Sequence, residues 1–67
     1  MKVGDLVAVD YERGTIVGAL MSFYERSLGE YTAKFANVYI IRTPDGEFVG
    51  EQYPFSTSAV RVVSESR

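Results

Sequence analysis

The sequence holds no cysteine, no histidine and no tryptophan. Without cysteine there are no disulfide staples. Without cysteine and histidine there is no thiolate or imidazole zinc site, and no Cys- or His-based nucleophile–base pair. An excess of one charge is missing too. Seven basic residues face nine acidic ones, for a net charge of −2. Lys2, Arg13, Arg26, Lys34, Arg42, Arg61 and Arg67 are scattered along the whole chain. Domains that grip phosphate backbones gather their basic residues on one face, so nucleic acid is the less favoured partner. No apolar run has the length of a membrane span, and the opening "MKVGDLV" does not read as a signal peptide. The expectation is a cytoplasmic protein without membrane association.

What is present suits a small globular domain. The apolar fraction is 46%, and five tyrosines and four phenylalanines supply much of the area that can be buried. One domain is expected over residues 1–63, followed by a polar tail, 64–67. A core in 67 residues rarely leaves more than about 3–5 kcal/mol of net stability. Good packing or a second subunit must therefore replace the missing staples.

Valine, isoleucine, tyrosine and phenylalanine, broken at short intervals by glycine and proline, favour strands. A first strand is expected at residues 5–9 and a second at 15–24. Both faces of the second are unusually apolar for a strand with one wet side. Gly18 inside it points to a bulge, a bend or a close backbone approach. "ERSLGE" reads as a turn pivoting on Gly29, and "YTAKFA" as the return arm of a long hairpin leading into a third strand at 37–43. "TPDGE" is a turn, with Pro44 presetting φ and Gly46 taking the left-handed conformation. A fourth strand is expected at 47–53, ended by Pro54. "FSTSA" is too short for an α-helix and suits one 3₁₀ turn. "VRVV" at 60–63 is the fifth strand.

This order, with "KVGDLVAV", "GTIVG", the meander and "YPFSTSAVRVV", resembles an SH3-like small β-barrel of the KOW or Tudor type. The resemblance implies an all-β, five-stranded antiparallel barrel with a long second hairpin and a short 3₁₀ turn before the last strand. "AVDYE" also resembles the opening of peptide-binding SH3 domains. Those need an aromatic groove that includes a tryptophan, and this chain has none. The "GDLV…GTIVG" opening and Gln52, Tyr53 and Pro54 resemble plasmid-type (type II) dihydrofolate reductases, which as a family are tetramers using NADPH. Their pore motif carries a residue between Gln and Tyr that is absent here, and one missing residue turns the following side chains to the other face.

No catalytic constellation assembles, so an enzyme, a cofactor and a metal site are not expected. Asp10 with Glu12, and Asp45 with Glu47, read as solvated turn residues. The tyrosines are more informative. Tyr24, Arg26, Leu28 and Tyr31 surround one projecting hairpin tip, and Tyr11 and Tyr53 extend the aromatic set. Tyr and Arg are the residues enriched where protein interfaces concentrate their binding energy. These six residues are the candidate partner-binding positions of a non-enzymatic module. The partner is a protein or a second copy of the chain, with single-stranded nucleic acid stacked on a barrel surface as the alternative.

Overall fold

The computed structural model describes residues 1–64. Five strands, β1 (Leu6–Tyr11), β2 (Gly14–Leu28), β3 (Tyr31–Arg42), β4 (Gln52–Ser56) and β5 (Val60–Ser64), form one sheet of order β4-β3-β2-β1-β5. Every neighbouring pair is antiparallel. A single 3₁₀ turn, Thr57–Ala59, joins β4 to β5 as expected. Apart from Ser64, which ends β5, the expected polar tail lies outside the described residues.

The sheet is open, which corrects the expectation of a closed SH3-like barrel. Closure requires the two outermost strands to pair. Here β4 and β5 occupy opposite edges of the order. β4 pairs with β3 only over Phe35–Tyr39, and β5 pairs with β1. The physical reason lies in where the strand length is spent. β2 and β3 are long, but their extra residues run out together as a two-stranded ribbon and do not wrap towards a fifth neighbour. β4 is short and carries Pro54, which has no N–H to give to a further strand. The KOW or Tudor-type likeness and the type II reductase likeness fall with the barrel they presuppose.

Two bulges shape the central β2–β3 ladder. The register passes from Val17↔Arg42 to Gly18↔Ile40, and from Leu20↔Val38 to Ser22↔Asn37. Ile41 and then Met21 are thereby left as extra residues. Gly18 sits at the first bulge because the partner strand comes very close: a Cβ there would stand 2.4 Å from the Tyr39 carbonyl oxygen. The close approach read from Gly18 is therefore present.

The fourth strand departs from expectation. Gly46 donates its N–H to the Thr43 carbonyl (3.4 Å) with φ 77°, which is the anticipated turn. No strand follows directly. The buried Thr43 hydroxyl is shared between the Glu47 carbonyl (2.9 Å) and Asp45 Oδ1 (3.2 Å), and the Glu47 amide also donates to Asp45 Oδ1. A second turn, closed by the Glu51 amide on the Phe48 carbonyl, delays the strand to Gln52. Pro54 then lies inside β4, opposite Asn37. An edge strand tolerates it, since one side of its backbone needs no ladder donor.

Val7, Leu20, Ala36 and Val38 form the buried centre, with Phe55, Val60 and Val62 packed against it. Asp5 is 1% exposed, although the sequence places it simply at the start of a strand. It lies in the turn before β1, where its carboxylate accepts the Lys2 amide (2.8 Å) and its carbonyl accepts the Leu20 amide (2.9 Å). These bonds carry the β1 edge one step past its last register pair, Leu6↔Ala19.

Candidate functional site: the β2–β3 ribbon

β1 covers its flank of β2 only as far as Leu20, and β4 covers β3 only from Phe35 onward. Residues 22–24 thus lie beyond β1 while their partners 35–37 are still flanked by β4, and the two central strands continue alone only as residues 25–28 against 31–34. All residues from 21 to 32 are exposed. The ribbon ends in a two-residue turn, Gly29-Glu30, closed by Leu28↔Tyr31. Gly29 has φ 68° and is the first central residue, the position that hairpin turns of type II′ reserve for glycine.

The register sorts the side chains. Tyr24 faces Phe35, Arg26 faces Ala33 and Leu28 faces Tyr31, so these six share one side of the ribbon. Phe23, Glu25, Ser27, Thr32 and Lys34 take the other, with Phe23 opposite the buried Ala36. Tyr24 and Phe35 stack, with ring centroids 5.3 Å apart and planes 18° from parallel. Such pairs add about 0.5–1.5 kcal/mol beyond their burial. At the base of the ribbon Met1, Phe23, Tyr24, Glu25, Lys34, Phe35 and Thr57 line an open, mostly apolar cleft of about 490 Å³. It draws residues from both sides of the ladder.

Of the six expected positions, Tyr24, Arg26, Leu28 and Tyr31 do fall together on one side of the ribbon. Tyr31 is 69% exposed and Tyr24 39%. Tyr11 does not join them. It pairs with Gly14 at the opposite end of β2. Tyr53 is also elsewhere, half-buried on β4 across from Val38, with Phe48 edge-on to its ring at 5.1 Å. Reading the sequence missed Phe23, Phe35, Lys34, Met1 and Thr57. The alternation of Tyr31, Ala33 and Phe35 already held the signal for Phe35, because a two-residue turn fixes which residue faces Tyr24.

The ribbon's charges balance: Glu25 and Glu30 against Arg26 and Lys34. Glu25 and Lys34 are directly opposed across the ladder. The stronger electrostatic features lie far from the ribbon. Arg61 donates to Asp10 from Nε (3.0 Å) and Nη2 (3.3 Å), tying β5 to β1. That hydrogen bond, with a second from Thr15, holds the Asp10 carboxyl below its ordinary value. Asp45 is lowered too, first by the Glu47 amide and then by the Thr43 hydroxyl, with Arg13 at 3.7 Å assisting. Among the described residues no cluster of acidic side chains is arranged to hold a metal ion, and no helix is long and apolar enough to cross a membrane. Comparison with known proteins finds no protein family, no curated protein and no solved structure that matches this chain.

Proposed function

We propose that this chain is a small non-enzymatic interaction module whose binding surface is the β2–β3 ribbon and whose partner is a protein. The observation that carries the reading is the concentration of exposed apolar residues on an element with little packing duty. Met21, Phe23, Tyr24, Leu28 and Tyr31 are all at least 39% exposed; the four on β2 lie beyond β1, and Leu28 and Tyr31 lie beyond β4 as well. Exposed apolar clusters rimmed by polar residues mark interaction sites. Here the rim is Glu25, Arg26, Glu30 and Lys34, both signs in equal number. That balance favours a protein surface over a polyanion, which would draw basic residues to one side.

The test is selection of displayed peptides against the immobilised chain, with wild type and Tyr24→Ser compared. Selected peptides are expected to lose about tenfold or more in affinity for the variant, since buried aromatic anchors dominate such interfaces. Binders indifferent to Tyr24, or no binders from a large library, would remove the reading.

A further inference from the structure

We propose that the free edge of β2 over residues 22–28 recognises itself, pairing antiparallel with the same edge of a second copy about a two-fold axis through Glu25. This rests on the ribbon being the interaction surface and names what occupies it.

The backbone comes first. A two-residue turn is closed by a hydrogen-bonded pair, and such pairs alternate along an antiparallel ladder. Leu28, Arg26 and Tyr24 therefore turn their N–H and C=O groups towards β3. Ser27, Glu25 and Phe23 turn theirs outward, on the flank that β1 leaves bare. An uncovered edge is a template for another strand, and proteins usually guard it with proline, lysine or a bulge. β4 has such a guard in Pro54. Residues 22–28 read "SFYERSL", without proline, glycine or net charge, and the bulge of this strand, at Met21, lies before them.

Register then follows from geometry. Residues opposite one another must point to the same side of the joined sheet, so only alternate registers are allowed. Leu20 is already engaged on this edge by Gly4 (2.8 Å) and Asp5 (2.9 Å), which stops an incoming strand at Ser22. Leu28 is the last residue before the turn. The longest pairing that fits sets Ser22 against Leu28 of the second copy, and its centre is Glu25.

The side chains suit that register. Tyr24 meets Arg26 of the second copy, and Arg26 meets its Tyr24, so two cation–π contacts form beside the stacked Tyr24–Phe35 rings. Phe23 meets Ser27. The two Glu25 carboxylates meet at the axis, a like-charge contact that opposes this register and that each copy's own Lys34, across the ladder, offsets.

A chain without cysteine allows a clean test. Directly opposed Cα atoms in antiparallel strands stand about 4.5–5.5 Å apart, within the roughly 4.4–6.8 Å that a disulfide spans. Only residue 25 faces its own copy in this register. At residues 23 and 27 the like positions are offset by about 13 Å along the strands. Under mild oxidation at micromolar concentration, Glu25→Cys is expected to form disulfide-linked dimers about a hundredfold faster than Phe23→Cys or Ser27→Cys. Equal rates at the three positions, or a maximum away from residue 25, would overturn the proposal. Light scattering gives an independent readout. Wild type should show twice the 7.5 kDa chain mass. Glu25→Pro, which removes an outward N–H while sparing the β3 ladder, should return to the single mass with its strand spectrum intact. A wild-type chain still monomeric at millimolar concentration ends the proposal. If that monomer binds selected peptides through Tyr24, the protein-binding reading survives without self-pairing.

Discussion

Gly18 offers the sharpest test of the fold. Its backbone φ is not in the left-handed region, so Gly18→Ala introduces no conformational strain of its own. On chain entropy alone the substitution should stabilise the protein by about 0.4–1 kcal/mol. Space says the opposite. The new Cβ would stand 2.4 Å from the Tyr39 carbonyl oxygen and 2.5 Å from Val38 Cγ1, where ordinary contact begins at 3.4 Å. The shortfall to the oxygen is about 1 Å, and that oxygen belongs to the backbone of a central strand, so it cannot swing aside as a side-chain tip would. Overpacking of this kind costs about 1–3 kcal/mol, and the upper half of that range applies when backbone must move. After the entropic gain the net loss is about 2 kcal/mol, roughly thirtyfold in the folding equilibrium. Against a net stability of about 3–5 kcal/mol, the domain should remain folded but be visibly weakened. Urea titration followed by far-ultraviolet dichroism suits a chain without tryptophan. With a slope near 1 kcal/mol per molar urea for a domain this small, the midpoint should fall by about 2 M. A midpoint unchanged or raised would refute the close approach at the bulge, and with it the β2–β3 register.

The other expectations are spread across the sheet. Leu20→Ala, at a side chain with no exposed surface, should cost about 2–5 kcal/mol, which removes most of a net stability of about 3–5 kcal/mol, and the same titration should show a larger fall in midpoint than for Gly18→Ala. Tyr31→Ser should change stability by less than about 0.5 kcal/mol. Tyr24→Ser, which breaks the stack on Phe35, should cost about 1 kcal/mol. Unfolding in either variant would show that the ribbon packs as core. Asp10 has its pKa lowered in the fold by Arg61 and Thr15, so its contribution is present above its unfolded pKa and is lost as pH falls through the lower folded one. Thermal midpoints should therefore drop below about pH 4, and Asp10→Asn should flatten that part of the profile. Equal slopes in the two proteins would count against the Asp10–Arg61 link. At Phe48, φ 66° places a bulky residue in the left-handed region. Phe48→Gly should relieve about 1–2 kcal/mol of backbone strain and lose about 1 kcal/mol of ring contact with Tyr53. The net change in the urea midpoint is expected to be small, and a large loss would mean that the loop is anchored by that ring.

Strand content, the long hairpin pivoting on Gly29, the Thr43–Gly46 turn and the 3₁₀ turn before β5 were all legible, because each depends on residues close together in the chain. Closure was not. Whether five strands curl into a barrel depends on whether the outermost two meet, and no local pattern encodes that contact. Proline at residue 54 could be read as a strand terminator or as a mark of an edge, and only the sheet order decides between them. The site shows the same division. Tyr24, Arg26, Leu28 and Tyr31 came together because they lie within one turn of a hairpin, whereas grouping Tyr11 and Tyr53 with them needed a closed surface that does not exist.

The bulge at Met21 explains the side of the site that stayed hidden. Simple alternation from Leu20 puts Phe23 on the face away from the core. One extra residue in β2 reverses that parity, so Phe23 returns to the core side opposite Ala36 and forms a wall of the cleft with Lys34 and Thr57. Serine and methionine carry no bulge signature, and Ser22 gains its hydrogen bond from Asn37 (3.0 Å) only after the strands have met. The same reversal makes the ribbon an independent surface. Beyond Met21 both sides carry aromatic residues, Phe23 on one and Tyr24 and Phe35 on the other, where β1 has already ended and β4 reaches only as far as Phe35. A two-stranded ribbon is marginal by itself in water, and Phe23 at 46% and Tyr24 at 39% exposure keep much of their ring surface in solvent.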